Sequence, residues 1–362
     1  MKKLTCRLST LMILAALFAT VLSLASCGGK EKYPEIPSSK EEATTVATLG
    51  DHEVKYELFR AYFSAMYSGA TDGMTEEGWE EAKNAVMREI ALLYATLDVA
   101  GANGVDPYGD EINEKVAECI RIEYEGGEDD GVIVEGAGSR EKYKEALAAA
   151  NLTDAVTRLI YRYDATQAAL YEYLVENYGY GKDPGDLGDP RAFFDSDDCA
   201  HGVWLFISDG QLLGRKAGLA RAAEAREELA GAADYAAVQA VLRKYASPTS
   251  LSKSDIEYGF YVSRNQGNTP VQRALVSDFF TLAPYACGEI REDADGVWFV
   301  VGLPKNAADY DRDPEAIYQL MYAEEKIDRP IAEKAATYLA GVAYSSSFPR
   351  FSPETLSELT VK

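Results

Sequence analysis

Between Asn177 and Asp198 the sequence breaks its own pattern, and the break decides what the chain can fold into. Gly181, Pro184, Gly185, Gly188 and Pro190 crowd this stretch together with aspartates, a composition that ends regular structure and marks a domain boundary. Before it, apolar residues recur every three or four positions, the spacing of a helix face. After it, short β-type runs alternate with helical ones. A helical half joined to a mixed half makes an α+β protein, with its core divided between two regions.

In the first half, folding is expected to start near Thr44. Val46-Ala47-Thr48-Leu49 and Glu53-Val54 flank Gly50-Asp51, which is turn chemistry for a short hairpin. A helix follows from about Tyr56, with Phe59, Tyr62, Phe63, Met66 and Tyr67 on one face. A second runs from Thr75 to Ala100 with Trp79, Val86, Ile90 and Leu93 in its stripe. The Gly and Asp cluster at 126–138 predicts a loop. Glu141 to Ala150 predicts another helix, which stops near Asn151, and Thr153-Asp154 caps the next.

In the second half, Ala200–Ile207 reads as a strand, 215–230 and 234–246 as helices, Asp255–Val262 as extended and Val297–Leu303 as a strong strand. Asp313-Pro314 is an N-cap followed by a proline suited to the first turn, so a helix returns there. Pro330 is expected to interrupt or restart it. Ile331–Tyr344 is amphipathic, and residues 345–362 read as a loosely held tail.

The amino-terminal segment is not part of this fold. Lys2, Lys3 and Arg7 precede an apolar run from Leu11 to Leu24, and small residues follow, the layout of a secretory signal. The run is too short for a spanning helix, which needs roughly 20 apolar residues. Leu24-Ala25-Ser26-Cys27 resembles the lipobox that directs a lipid onto a cysteine thiol. Residues 1–26 are thus expected to be a lipoprotein signal peptide and Cys27 the lipidated first residue of the mature chain. Residues 27–43, polar with two prolines, read as a flexible linker.

Loss of Lys2, Lys3 and Arg7 takes the formal charge from −23 to −26. An acidic chain without clustered Lys and Arg is no partner for nucleic acid, and suits basic unfolded segments better. Cys119, Cys199 and Cys287 remain for other purposes. Their wide spacing is no disulfide framework, and buried thiols are the simplest reading, with a Cys199–Cys287 bridge left open. With only His52 and His201 as imidazoles, no metal set is recognisable and no cofactor is expected. Glycine-rich phosphate loops and a serine nucleophile elbow are also missing.

The layout resembles the extracytoplasmic foldases of the SurA and PrsA type. The hairpin and aromatic helix start, Val46-Ala47-Thr48-Leu49-Gly50-Asp51-His52-Glu53-Val54-Lys55-Tyr56-Glu57-Leu58-Phe59, carry the likeness at the amino end. Residues 199–305 are similar to a parvulin domain in the order Gly202–Ile207, a helix to Leu229, a helix to Tyr245-Ala246-Ser247, Tyr258-Gly259-Phe260, Ala274–Leu282 and Asp295–Val301. The resemblance implies a helical chaperone region (44–180) completed by carboxy-terminal helices (313–345), an inserted parvulin-like domain (195–305) of small antiparallel sheet and helices, and a tail (346–362).

It also implies where a prolyl isomerase site would lie. The family pairs a histidine in its first strand with one in its last, and alignment of the apolar residues puts Trp204 and Trp298 at those positions. Ser247, followed by Pro248 and Thr249, stands where an acidic residue or cysteine is expected. Phe260 falls at another site position, and the pocket methionine and phenylalanine have no counterpart in Asn268–Ala274. His201 reads as an exposed or rim side chain. Prolyl isomerisation needs no nucleophile, since a desolvated pocket that favours the twisted amide accelerates it.

The expected protein is a membrane-anchored chaperone for unfolded exported chains, with a degenerate isomerase domain and aromatic faces that hold clients. It would sit on the outer face of the cytoplasmic membrane, or in the periplasm of a two-membrane cell. An active prolyl isomerase and a non-catalytic surface lipoprotein with one dedicated partner are the alternatives.

Overall fold

A computed structural model describes residues 33–67, 74–129, 132–179, 188–208, 214–247, 251–267, 269–292, 296–346 and 348. The expected signal peptide and Cys27 lie outside the described residues. In chain order the elements are β1 (Thr45–Leu49), β2 (His52–Lys55), α1 (Tyr56–Tyr67), α2 (Glu76–Ala102), α3 (Asp110–Glu125), β3 (Gly127–Asp129), β4 (Val132–Val134), α4 (Arg140–Ala149) and α5 (Asp154–Tyr178). Then come α6 (Pro190–Asp195), β5 (Cys199–Ser208), α7 (Arg215–Leu229), α8 (Tyr235–Tyr245), α9 (Lys253–Tyr258), β6 (Phe260–Ser263), α10 (Pro270–Thr281), β7 (Arg291–Glu292) and β8 (Gly296–Gly302). The chain ends with α11 (Ala307–Arg312), α12 (Pro314–Ala323), a π turn (Glu324–Asp328), α13 (Arg329–Ala340) and β9 (Ala343–Tyr344). The fold is α+β, and its chain divides into two units, one over Val175–Arg329 and the other ending at Leu174 and resuming at Pro330.

The helical unit is built on the expected hairpin. Gly50 takes φ +59° in the turn between β1 and β2, and the free edge of β1 receives β9, with Ala47 opposite Tyr344. Thr75 caps α2 by accepting from the Gly78 N–H at 3.1 Å. Phe59, Phe63, Met87, Ile90, Leu93 and Leu170 are fully buried, each worth roughly 2 kcal/mol of transfer free energy. Phe63 meets Trp79 edge to face at 5.2 Å, and Phe59 meets Phe348 at 5.3 Å. The aromatic stripes of this half are core. Among the described residues, the large apolar side chains left exposed are Tyr108, Tyr173, Val175 and Tyr344.

Both ends of this unit are tied down more firmly than their composition suggests. Residues 33–43 do not form a free linker. The Tyr33 ring stacks on Tyr124 at 4.4 Å and its hydroxyl donates to Glu125, while Arg158 donates to the Tyr33 carbonyl at 2.6 Å. The Ile36 N–H donates to Asp154 Oδ2 at 2.8 Å, and the Ser38 hydroxyl to Glu57 at 2.5 Å. Asp154 also accepts from Tyr143 (2.9 Å) and Arg158 (3.0 Å), so this buried carboxylate is fully engaged. At the other end, the tail is not loose over its first residues. Ser345 N–H donates to the Val46 carbonyl at 2.9 Å, and Phe348 is buried.

The second unit is organised around a four-stranded antiparallel sheet in the order β6-β5-β8-β7. Alternation along β5 and β8 gives the sheet two different faces. Val203, Leu205, Ile207, Val297, Phe299 and Val301 point to one side and are covered by Ala222, Ala225 and Leu229 of α7 and Val238 and Leu242 of α8. On the other side, Ala200, Val262 and Val300 pack under Leu275, Val276 and Phe279 of α10.

Two local expectations change, and one holds. Asp255–Val262 is not continuously extended: Ser252 and Asp255 cap each other reciprocally and start α9, which Gly259 ends at φ +66° before β6 begins. The loop expected at 126–138 contains the β3–β4 hairpin. Pro330 does mark a restart: α12 ends at Ala323, and α13 begins at Arg329 with Pro330 in its first turn. The π turn widens the backbone just upstream, where the proline ring would otherwise meet the carbonyl four residues back, and the Arg329 N–H reaches Glu324.

Candidate functional site: an aromatic floor on the sheet

The strand register brings the two tryptophans together. Trp204 pairs with Val300 and Phe206 with Trp298, so both indoles rise from neighbouring strands on the α10 side. Their centroids are 6.2 Å apart at 83°, an edge-to-face pair in place of the stacked arrangement one would first draw. Phe206 lies 4.1 Å from Trp298, and Phe260 of β6 lies 4.3 Å from Trp204. These four rings are half-buried and form a continuous floor.

Phe279 forms the wall. It stands 6.3 Å from Trp204 and 6.0 Å from Phe260, and it is buried. It lies five residues beyond the Asn268–Ala274 stretch in which the resemblance would place a pocket phenylalanine. A signal existed in Gly202: a Cβ there would lie 2.8 Å from the Phe279 ring, so only glycine lets this ring lie on the strand.

The other sequence candidates have structural duties. Ser247 accepts from the Ser208 N–H at 2.9 Å, and its own N–H donates to the Phe206 carbonyl at 3.0 Å, which ties the chain after α8 to the end of β5. Pro248 and Thr249 lie outside the described residues. His201 is buried, contrary to the expectation of a rim position. Its Nδ1 is 2.7 Å from the Pro304 carbonyl and its Nε2 2.8 Å from the Tyr258 carbonyl, and the ring stacks on Tyr261 at 4.2 Å. Cys199 and Cys287 are free thiols in different apolar clusters. Burial pushes the Cys199 thiol up to about 12 against a smaller pull from Lys305, and it pushes Cys287 up as well.

Near the floor, the ion pair in view is Arg291 with Asp278, held by two bonds of 2.9 and 3.2 Å between β7 and α10. Arg291 sits opposite Trp298 in the ladder. None of the five floor and wall rings is a nucleophile or a proton carrier at neutral pH. Such a surface can take up apolar groups by desolvation and offers no group to react with them. A separate cleft of about 290 Å³ between α8 and α9, lined by Arg243, Lys253, Ile256 and Glu257, has mixed charge and no convergent chemistry. Among the described residues no group of three or more His, Cys, Asp or Glu side chains could hold a metal, and no helix is long and apolar enough to cross a membrane.

No family model matches the chain, and no curated protein matches it. Two solved structures align over most of its length. The foldase protein PrsA from Streptococcus pneumoniae is 10% identical, with 88% of this chain and 100% of that chain covered at a TM-score of 0.30. PrsA from Bacillus subtilis is 10% identical, with 83% and 92% covered at a TM-score of 0.24. Similarity at this level assigns neither fold nor activity to the chain.

Proposed function

We propose that this protein is an exported, lipid-anchored chaperone that binds unfolded protein segments through the aromatic floor of its α/β unit, a parvulin-like domain that has lost its catalytic histidines. The observation that supports this most directly is the Trp204–Trp298 pair. The two positions that the resemblance gives to paired histidines are occupied by rings in mutual contact, which supports reading the two replacements as matched. Two indoles supply area and shape without proton transfer, which suits holding over turnover. Anchoring through Cys27 would keep this surface where exported chains emerge.

Suppression of aggregation of a denatured secreted protein tests the reading. The intact chain should delay aggregation at equimolar ratio, and Trp204→Ala with Trp298→Ala should lose most of the effect while keeping the native far-UV spectrum. Equal protection by the double variant would overturn the floor as the binding surface. A protease-coupled proline peptide assay separates holding from isomerisation. A flat rate is expected, and acceleration abolished by Trp204→Ala would establish the active isomerase instead. Failure of both assays would favour the dedicated-partner reading.

A further inference from the structure

The strap formed by residues 33–38 has a consequence for how the protein meets lipid. If Cys27 carries the anchor, the stretch between the lipid and the start of the strap, Tyr33, is Gly28-Gly29-Lys30-Glu31-Lys32. Six residue steps span at most about 20–22 Å however the chain is arranged. Tyr33 itself is held by the Tyr124 ring, by Glu125 and by Arg158, and the buried Ile36 and Ser38 repeat the attachment to Asp154 and Glu57. These contacts join the strap to the carboxy-terminal end of α3, the amino-terminal end of α5 and the start of α1.

We infer that this strap end of the helical unit is a membrane-facing surface, kept by a short leash beside the lipid headgroups. Helix α3 has 16 residues. It is therefore about 24 Å long, longer than the leash at full stretch. Its Glu125 end can never stand further from the bilayer than the leash allows, whereas its Asp110 end can stand farther off by up to the length of the helix. Without the strap, the free chain would run from Cys27 to the turn before β1, about two to three times further. The strap therefore shortens the tether and caps how far this end can stand from the lipid. The inference rests on the anchored reading above.

Lipid photocrosslinking tests it. The full chain, expressed with its own signal and recovered with lipid, is placed in phosphatidylcholine vesicles doped with a lipid carrying a photoactivatable headgroup. Adducts are then mapped by mass spectrometry. Adducts per residue are expected to be several-fold denser over 33–39, 118–125 and 154–158 than over 105–112. A Gly/Ser insertion of about 20 residues between Lys32 and Tyr33 should even out this bias with the fold untouched. Tyr33→Ala combined with Ile36→Ser should do the same by releasing the strap. An even distribution in the unaltered chain, or a bias that survives the insertion, would overturn the inference. If Cys27→Ser matures and partitions like the unaltered chain, the anchor reading itself has failed, and the adduct map is then not the cause.

Discussion

Trp204 and Trp298 meet edge to face, with centroids 6.2 Å apart, across adjacent antiparallel strands. An edge-to-face indole pair is worth about 1 kcal/mol beyond the area it buries. A double-mutant cycle with Trp204→Ala and Trp298→Ala should return a coupling of that size by urea unfolding. Each single change should cost roughly 2–3 kcal/mol, below the figure for a fully buried ring, because both side chains are half-buried. Strict additivity would show that the rings are neighbours without being partners.

Glu324 is fully buried in the π turn. It accepts from the Asn265 N–H at 3.0 Å and from the Asn265 side chain at 2.6 Å, with Arg329 at 3.4 Å. Glu324→Ala strands the half-buried N–H and side-chain amide of Asn265 and should cost about 2 kcal/mol in denaturant unfolding. Glu324→Gln keeps one acceptor and should cost clearly less. The reverse order of these two variants would mean that the carboxylate is not what holds the loop after β6.

Gly50 combines a left-handed φ with crowding, since a Cβ there would lie 2.7 Å from Tyr338 Cε1. Gly50→Ala should lower stability by more than the roughly 1 kcal/mol of the backbone term alone. In a Tyr338→Ala background, the same substitution should cost only the backbone part. Thermal melts of the four proteins separate the two contributions.

Asp98 gathers Tyr338, His52 at 3.2 Å and Lys334 at 3.3 Å. Burial pushes its carboxyl up, but the hydrogen bonds from Tyr338, His52 and Lys334 outweigh it and hold Asp98 below the usual carboxylate range. A carboxylate with a depressed folded-state value adds stability that is complete above its unfolded value. That stability is lost as pH falls through the folded one. The melting temperature of the native protein should therefore drop below about pH 4 more steeply than that of Asp98→Asn. Parallel acid limbs would remove Asp98 from the account.

Local signals made much of this molecule legible in its sequence. The Gly50-Asp51 turn, the Thr75 and Asp313 caps and the alternation along β5 and β8 each rest on neighbours a few residues away, and each element formed near its expected limits. What escaped depends on distant partners. His201 looked like a rim residue because its two carbonyl contacts lie 57 and 103 positions along the chain. Residues 33–38 looked like a spacer because nothing in Tyr-Pro-Glu-Ile-Pro-Ser announces Tyr124 or Asp154. Phe279 was overlooked because helix spacing alone does not tell which ring meets a glycine on the strand below. The family resemblance singles out Trp204 and Trp298, as the histidine positions of the first and last strands, but that their rings meet was not legible, because it depends on the register between strands about 90 residues apart.

The helical unit is closed by the last part of the chain. Tyr338 and Lys334 complete the Asp98 junction, and β9 covers the edge of β1, although β1 and Asp98 belong to the first third of the sequence. A chain made from its amino end must wait for the whole α/β unit to be synthesised before that edge is sealed. Maturation of the helical unit thus works as a completeness check: a chain cut short anywhere before residue 330 keeps an open strand edge and an unfinished junction, and quality-control proteases can read both.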